Sequence, residues 1–373
     1  MLGRATARRM KLVDRLILKE LIPALIFSVA IFASLWFAGG PIQDATKYLG
    51  QGVPIPIVLH LVTLSIAPVL SYTLPMGVLL AVLLGFGRLS SDSEAVALSA
   101  GGIPFWRVMA PAAVLGLLAS FVGYAINDRV ASSAAATIAD IKQNVLHDPG
   151  ETAKPFDFPI REHGVLVLLV HVEKGFDGRT LSMKQVTITT FDPHGHAASI
   201  EQAESARYLT ATQWVLHGAT VNYLGQFPVY SSTQALRTRD LHETPANVAF
   251  MARDPDTLNF SDLRRQIREL QQSGTAESAT IRDAEVKLWS KIALPFACLV
   301  FAVVGSPLGL RPQRSSKTTG GALAILIIFG YYVLFTGMKS VAQGGGCPPV
   351  LAAFLPDVLG LFAGVYLSWR ASL

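Results

Sequence analysis

The run Arg88-Leu-Ser-Ser91-Asp92-Ser-Glu94-Ala-Val96-Ala-Leu98-Ser-Ala-Gly101-Gly102 has the residue types and spacing best suited to work at a surface. Ser91 and Glu94 stand in the S-x-x-E spacing of a capping box, Asp92 suits the positive start of a helix, and the glycine pair suits its end. The expected product is a helix of about two turns with Val96 and Leu98 apolar and no core of its own. A separately capped short helix is what a membrane transporter needs to dock on a cytoplasmic ATPase, with Arg88, Asp92, Glu94, Val96 and Leu98 at the contact. The plainer alternative is that Glu94 only caps and the helix lies on lipid headgroups.

Catalytic chemistry is harder to find. No G-x-x-x-x-G-K-[ST] occurs, and Gly101-Gly102, Gly320-Gly321 and Gly344 to Gly346 lack the Lys and Ser/Thr placement that cradles phosphate. His194 and His196 form an H-x-H within turn material, and His242-Glu243 lacks the second histidine of a zinc protease because position 246 is Ala246. Cys298 and Cys347 have no metal-type spacing. The expectation is a chain that binds no cofactor or metal itself, with ATP and magnesium on a partner.

The elements that carry the loop follow from composition. Hydrophobic residues make up 51% of the 373 and charged residues 15%, well under the roughly 25% of ordinary globular chains. Yet the stretch from Asp128 to Lys291 has an ordinary soluble charge density. A soluble insert within a membrane protein explains both, and excludes a soluble enzyme, a disordered chain and a disulfide-stapled secreted domain. At roughly 20 apolar residues per crossing, six spans are expected: Leu21 to Gly40, an interfacial or protruding entry from about Pro56 followed by a kinked second span ending at Arg88, Val108 to Ile126, Ile292 to Leu310, Thr318 to Met338, and Val350 to Trp369. Pro54, Pro56, Pro68 and Pro75 make a straight second rod untenable.

Orientation rests on the excess of Lys and Arg in short cytoplasmic segments. With both termini cytoplasmic, Arg4, Arg8, Arg9, Lys11, Arg15, Lys19, Arg88, Arg107, Arg311, Arg314, Lys317 and Arg370 lie inside, against Lys47 and Lys339 outside. The insert is then periplasmic and the membrane the bacterial inner membrane. Gly77, Ala81 and Gly85, Ala112, Gly116 and Ser120, and Gly360 and Gly364 recur every fourth position, as a packed bundle or a dimer seam requires.

Within the insert, Val165 to Val172, the alternating Val186 and Ile188, and Trp214 to Tyr223 read as strands of a sandwich or roll. Leu263, Ile267 and Leu270 mark an amphipathic helix with Ser261 as cap and Gly274 as stop, and a second helix from near Ala276 should run into span four. The expected organisation is residues 1–127 for spans one to three, with the loop helix near 91–100. Residues 128–257 form the β-domain, 258–291 the linker helices and 292–373 spans four to six.

The phrase from Leu74-Pro75 through Gly101 resembles the permeases of the lipopolysaccharide-export ABC transporter, the Lpt F and G subunits. So do Asp14 to Glu20, Ala206-Arg-Tyr with Trp214-Val-Leu, Glu285 to Pro295, Gly305-Ser-Pro307-Leu-Gly-Leu, and Pro348 to Pro356. Pro307-Leu-Gly-Leu-Arg311-Pro and Tyr331-Tyr332 look more like the F subunit. The resemblance implies six spans and a periplasmic β-jellyroll. It also implies a second permease, a cytoplasmic ATPase dimer, a periplasmic jellyroll bridge protein and lipopolysaccharide as cargo, with no nucleic acid. It makes the loop helix a coupling helix and Glu94 its acidic contact. Against such a lipid, Lys47, Arg129 and Lys339 are the candidate phosphate contacts at outer span ends, and each could equally be a solvated interfacial cation. Phe27, Ile31, Leu35, Ile325 and Phe329 would line a cleft between spans one and five. Asp357, within span six, either caps a helix broken at Pro356 or serves gating or substrate contact. A non-transport scaffold or sensor with a partner-binding β-domain is the alternative function.

Overall fold

A computed structural model describes residues 2–144, 156–162, 165–174, 182–192, 194–210, 213–224, 230–241, 250, 253–273, 278–310 and 318–372. The expected inside cations Arg311, Arg314 and Lys317, the stop at Gly274 and the His242-Glu243 pair lie outside the described residues. The chain forms two units, one of residues 1–135 with 285–373 and one of 136–284.

The first unit is helical. Helix α1 (Leu2–Gly39) breaks before Pro41 into α2 (Pro41–Gly50), and α3 (Ile55–Leu64) meets α4 (Ile66–Ser91) at Ser65. Pro68 has no N–H to bond the Leu64 carbonyl four residues back, and the helix breaks at that junction. The short α5 (Glu94–Ala100) precedes α6 (Phe105–Ala125). The helix of span three continues past Ile126, through a π turn (Ile126–Ala131) into α7 (Ser132–Asn144). In that turn the Asn127 side chain donates to the Lys291 carbonyl at 3.1 Å, and buried Lys291 donates to Ser132 Oγ at 3.0 Å.

Among the described residues, six helices or helix pairs are long and apolar enough to cross a membrane: Val13–Gly50, Ile55–Ser91, Phe105–Lys142, Ala279–Gly309, Gly321–Gln343 and Pro349–Ala371. The second and fourth are mostly buried within the unit, whereas the first, fifth and sixth expose most of their surface. Two clusters explain this arrangement. Val78, Val82 and Phe86 of α4 pack with Ile17 and Leu21 of α1, Val108 and Ala112 of α6, and Cys298 and Ala302 of span four. Met76, Leu79 and Leu83 pack on its other side with Ala297 and Phe301 and with the fifth span's Ala324, Ile328, Tyr331 and Phe335.

The small-residue positions are contacts within this bundle. A Cβ on Gly116 would lie 2.6 Å from the Ala302 Cβ and 2.9 Å from the Cys298 carbonyl, and one on Gly85 2.6 Å from Leu21. Gly77 meets Val29, Gly360 meets Val300, and Gly364 meets Val303 and Val304. In lipid the hydrophobic effect does not drive helices together, so close packing of this kind must hold them.

The second unit contains one antiparallel sheet ordered β1-β2-β3-β4-β5-β6, in which each strand pairs with its neighbour in sequence. The strands are β1 (Phe156–Glu162), β2 (Val165–Lys174), β3 (Ser182–Phe191), β4 (Ala197–Thr210), β5 (Gln213–Tyr223) and β6 (Tyr230–Asp240). The three expected strands are β2, β3 and β5. The other three are additions whose sequences hide them: β4 is rich in Ala, Glu and Gln, which favour helix in isolation, and β6 is mostly polar.

Burial shows that this sheet folds over. Inward positions skip one residue on three adjacent strands, from Met183 to Val186, from Ala203 to Ala206 and from Leu216 to Ala219. Met183, Ala206 and Leu216 are paired across the sheet, so the skips fall on one line. Gln185 (φ 53°) and Gly218 (φ 64°) lie on that line in the left-handed region, where a strand can turn. Arg239 pairs with Trp214, which pairs with Tyr208, seven residues or roughly 23 Å along β4 from Glu201. Even so, Arg239 and Arg237 reach Glu201 at 2.7 and 3.2 Å, and Arg239 donates to Thr190 at 2.9 Å. Only a sheet folded on itself, with both halves on one core around buried Trp214, allows that. This is the roll expected from the sequence.

After the sheet, α8 (Phe260–Ser273) buries Leu263 and Ile267 as its spacing predicts. Its cap is Asn259 rather than Ser261: Asn259 accepts from the Asp262 N–H and donates back to the Asp262 carboxylate, both at 2.9 Å. Helix α9 (Ser278–Gly309) then runs continuously into span four, followed by α10 (Thr318–Gln343) and α11 (Pro349–Ser372). Helix α11 passes unbroken through Pro356 and Asp357, so Asp357 caps nothing.

Two substitutions test these contacts. Gly116→Leu should prevent spans three and four from approaching, seen as loss of a monodisperse purified chain. Glu201→Ala strands two half-buried guanidinium groups and should destabilise the β unit by about 3 kcal/mol, read from its unfolding midpoint.

Candidate functional site

The loop between α4 and α6 is built from its two ends inward. Helix α4 stops at Ser91, whose hydroxyl donates back to the Arg88 carbonyl at 2.9 Å. Ser91 therefore does not cap α5, and the expected capping box is absent. Ser93 holds the capping position with φ 60°, its carbonyl accepting from the Ala97 N–H at 3.0 Å. Glu94 is the first residue of α5 and is exposed, which leaves its carboxylate outside the helix instead of folded back on a cap. The glycine pair ends α5 as expected: Ile103 N–H bonds the Leu98 carbonyl at 3.1 Å across Gly102, which has φ 77°.

The five coupling candidates divide by exposure. Leu98 packs on the α1–α4–α6 cluster and seats the helix, while Glu94 and Val96 face outward, Val96 at 59% exposure. Arg88 is held in place, 3.0 Å from Glu20 of α1 and 3.7 Å from Asp92. Arg107 of α6 meets Asp14 of α1 at 2.7 Å. These anchors join residues 68 and 93 positions apart. Opposite charges that distant have no spacing signature in the sequence. The outcome is a short helix, pinned at both ends, that presents one acid and one apolar side chain outward.

Lys47, Arg129 and Lys339 lie on three separate elements, α2, the π turn and the end of α10. Alternation of the spans puts all three on the side opposite α5. Lys47 stands 5.4 Å from the centroid of Tyr48 and Lys339 5.5 Å from that of Phe335, and Arg129 is exposed. Among the cleft candidates, Phe27, Leu35, Ile325 and Phe329 are 60 to 66% exposed and Ile31 is half-buried. Helices α1 and α10 both rest on α4, and between them Trp36 stacks on Tyr72 at 5.4 Å while Tyr332 donates to the Tyr72 carbonyl at 2.9 Å. This aromatic contact has no sequence signature, since nothing in the sequence marks Tyr72 as the partner of Trp36.

The H-x-H segment is a hairpin turn. Asp192 Oδ1 accepts from the N–H groups of His196 and His194 at 2.8 and 2.9 Å. The His196 N–H first, and then that of His194, holds the exposed Asp192 carboxyl below the usual carboxylate range, so the turn keeps its charge-assisted bonds until acid titrates it. No metal-type cluster occurs among the described residues. Both cysteines are free, Cys298 being buried.

The family model described as "Lipopolysaccharide export system permease LptF/LptG" matches residues 15–370. The chain belongs to the LptF/LptG family. It is 24% identical over 369 residues to LptG of Escherichia coli K12, covering 96% of this chain and 98% of that protein. It is 21% identical over 369 residues to LptF of the same organism, covering 96% and 94%. LptG of Haemophilus influenzae is 24% identical over 304 residues, covering 76% and 78%. Overall identity does not favour the F-like phrases over LptG. As an LptF/LptG-family chain with six such helices, it is a multi-pass membrane protein with a β unit between the third and fourth.

The exposures of the loop residues set a stability expectation. Glu94→Ala and Val96→Ser should each change unfolding free energy by less than about 0.5 kcal/mol, whereas Leu98→Asp buries a charge in the cluster and should cost more than about 2 kcal/mol. Thermal unfolding of the purified chain separates the two classes.

Proposed function

We propose that the chain is a permease subunit of an ATP-driven lipopolysaccharide exporter in the bacterial inner membrane. The observation that carries this is the family match over spans and β unit together, residues 15–370. Both termini are cytoplasmic and the insert periplasmic, as the basic residues at the α5 side argue. A second permease of the family completes the cleft. A cytoplasmic ABC ATPase dimer, holding ATP and magnesium, docks on α5, where exposed Glu94 and Val96 meet it and Arg88, Asp92 and Leu98 fix the helix.

Lipopolysaccharide enters from the outer leaflet. Phe27, Ile31, Leu35, Ile325 and Phe329 contact its acyl chains, and Lys47, Arg129 and Lys339 contact its phosphates. Closure of the ATPase moves α5, and the ion pairs Arg88–Glu20 and Arg107–Asp14 pass that movement to α1 and α6. Narrowing of the cleft then pushes lipid to the periplasmic β unit, which hands it to a jellyroll bridge protein. This chain acts as a transport subunit, and hydrolysis belongs to the partner.

ATPase activity of the purified permease–ATPase complex, with and without lipopolysaccharide, tests the reading. Glu94→Ala should lower lipid-stimulated activity at least tenfold, the effect of losing about 1.4 kcal/mol at the contact, while leaving the chain folded. A wild-type chain that assembles with no such ATPase, or an intact complex indifferent to both lipid and Glu94→Ala, would instead favour the scaffold.

A further inference from the structure

Asp357 is the only buried acidic side chain in a candidate span among the described residues, with 1% of its surface accessible. A carboxyl group in hydrocarbon is costly and needs a partner. Its partner is Tyr331 of α10, whose hydroxyl donates to Asp357 Oδ1 at 2.9 Å. Tyr331 belongs to the packed face of α10 with Ala324, Ile328 and Phe335, a spacing of i, i+4, i+7 and i+11. The flank of α10 that also carries Tyr332 has Ile325 and Phe329, 64 and 66% exposed.

Apolar contacts between lipid-embedded helices tolerate rotation, because lipid tails satisfy an apolar side chain equally well. The Tyr331–Asp357 bond is directional, and it points to one rotational setting of α10. The neighbouring Tyr332 sits edge-on to Tyr331 at 5.4 Å and donates to the Tyr72 carbonyl of α4, on which Trp36 of α1 stacks. A chain of contacts therefore runs from span six through span five to spans two and one.

We propose that Asp357 is a positioning residue: by holding Tyr331 it sets the rotation of α10, and so keeps Ile325 and Phe329 exposed on the flank that bears Tyr332. Its part in export rests on the function proposed above, whereas the setting of α10 does not. Asp357 acts through Tyr331 and touches no cargo.

Two readouts on the intact permease–ATPase complex in nanodiscs test it. The first is alkylation of Ile328→Cys on the packed face, with Cys298 and Cys347 replaced by alanine. Tyr331→Phe and Asp357→Leu should speed labelling about three- to tenfold, as loss of one interhelical hydrogen bond in a membrane allows. Asp357→Asn, which still accepts through its amide oxygen, should label like the parent. The second is the lipopolysaccharide concentration for half-maximal ATPase stimulation, which should rise by a similar factor in the first two variants with the unstimulated rate unchanged.

Unchanged labelling in Asp357→Leu would overturn the proposal. So would equal damage from Asn and Leu, which would make the site one of packing volume alone. Faster labelling in a complex whose wild type never responds to lipopolysaccharide would uphold the positioning of α10 and overturn the export reading instead.

Discussion

Backbone approach between helices governs the membrane unit. Inside a bilayer the hydrocarbon already solvates leucine and valine, so spans gain little by meeting unless their atoms interlock. Here the interlocking centres on spans two and four. Gly116 lets span three reach the Cys298 carbonyl, Gly309 sits on Phe86, and Gly360 and Gly364 let span six approach span four. With those two spans buried, the first, fifth and sixth are left on the outside with large apolar side chains exposed. The surface assigned to a lipid cleft is a consequence of which helices carry the glycines.

The β unit meets a different constraint. A single sheet has two faces, and six strands alone cannot bury one of them without help from another layer. Folding along the line of Gln185 and Gly218 makes the sheet its own second layer, with Trp214 and Leu216 in the core. The buried Glu201 joins the two halves through Arg237 and Arg239. Because a charged group there is stable only with its partners in place, the ion pairs also specify which halves meet.

At the α5 side, local and distant contacts divide the work. Backbone bonds around Ser93 and Gly102 make α5 a separate helix, and Leu98 fastens it to the bundle. The pairs Arg88–Glu20 and Arg107–Asp14 tie the helices on either side of the loop to α1. Helix α1 thus touches both flanks of the loop, and its other half carries Phe27 and Leu35. At the other side the cations Lys47 and Lys339 lie over rings of their own helices, where cation–π attraction orients them.

Sequence alone determined what depends on composition and short spacing. The six spans were legible because a bilayer demands about 20 apolar residues per crossing, and the insert because its charge density is that of a soluble domain. The small-residue repeats were legible too, though only the packing showed that they serve contacts within one chain. Tertiary structure decided whatever depends on partners far apart in the chain. It turned the Ser91 hydroxyl back onto α4 and moved the α8 cap from Ser261 to Asn259, because a side-chain oxygen bonds whichever neighbour the folded backbone brings within reach. It made a strand of the helix-favouring Ala197–Thr210, because pairing on both edges outweighs a propensity of a few tenths of a kcal/mol per residue. It also gave Asp357 its bond to Tyr331, 26 residues away and on another helix, a pairing that follows only from how α10 and α11 pack.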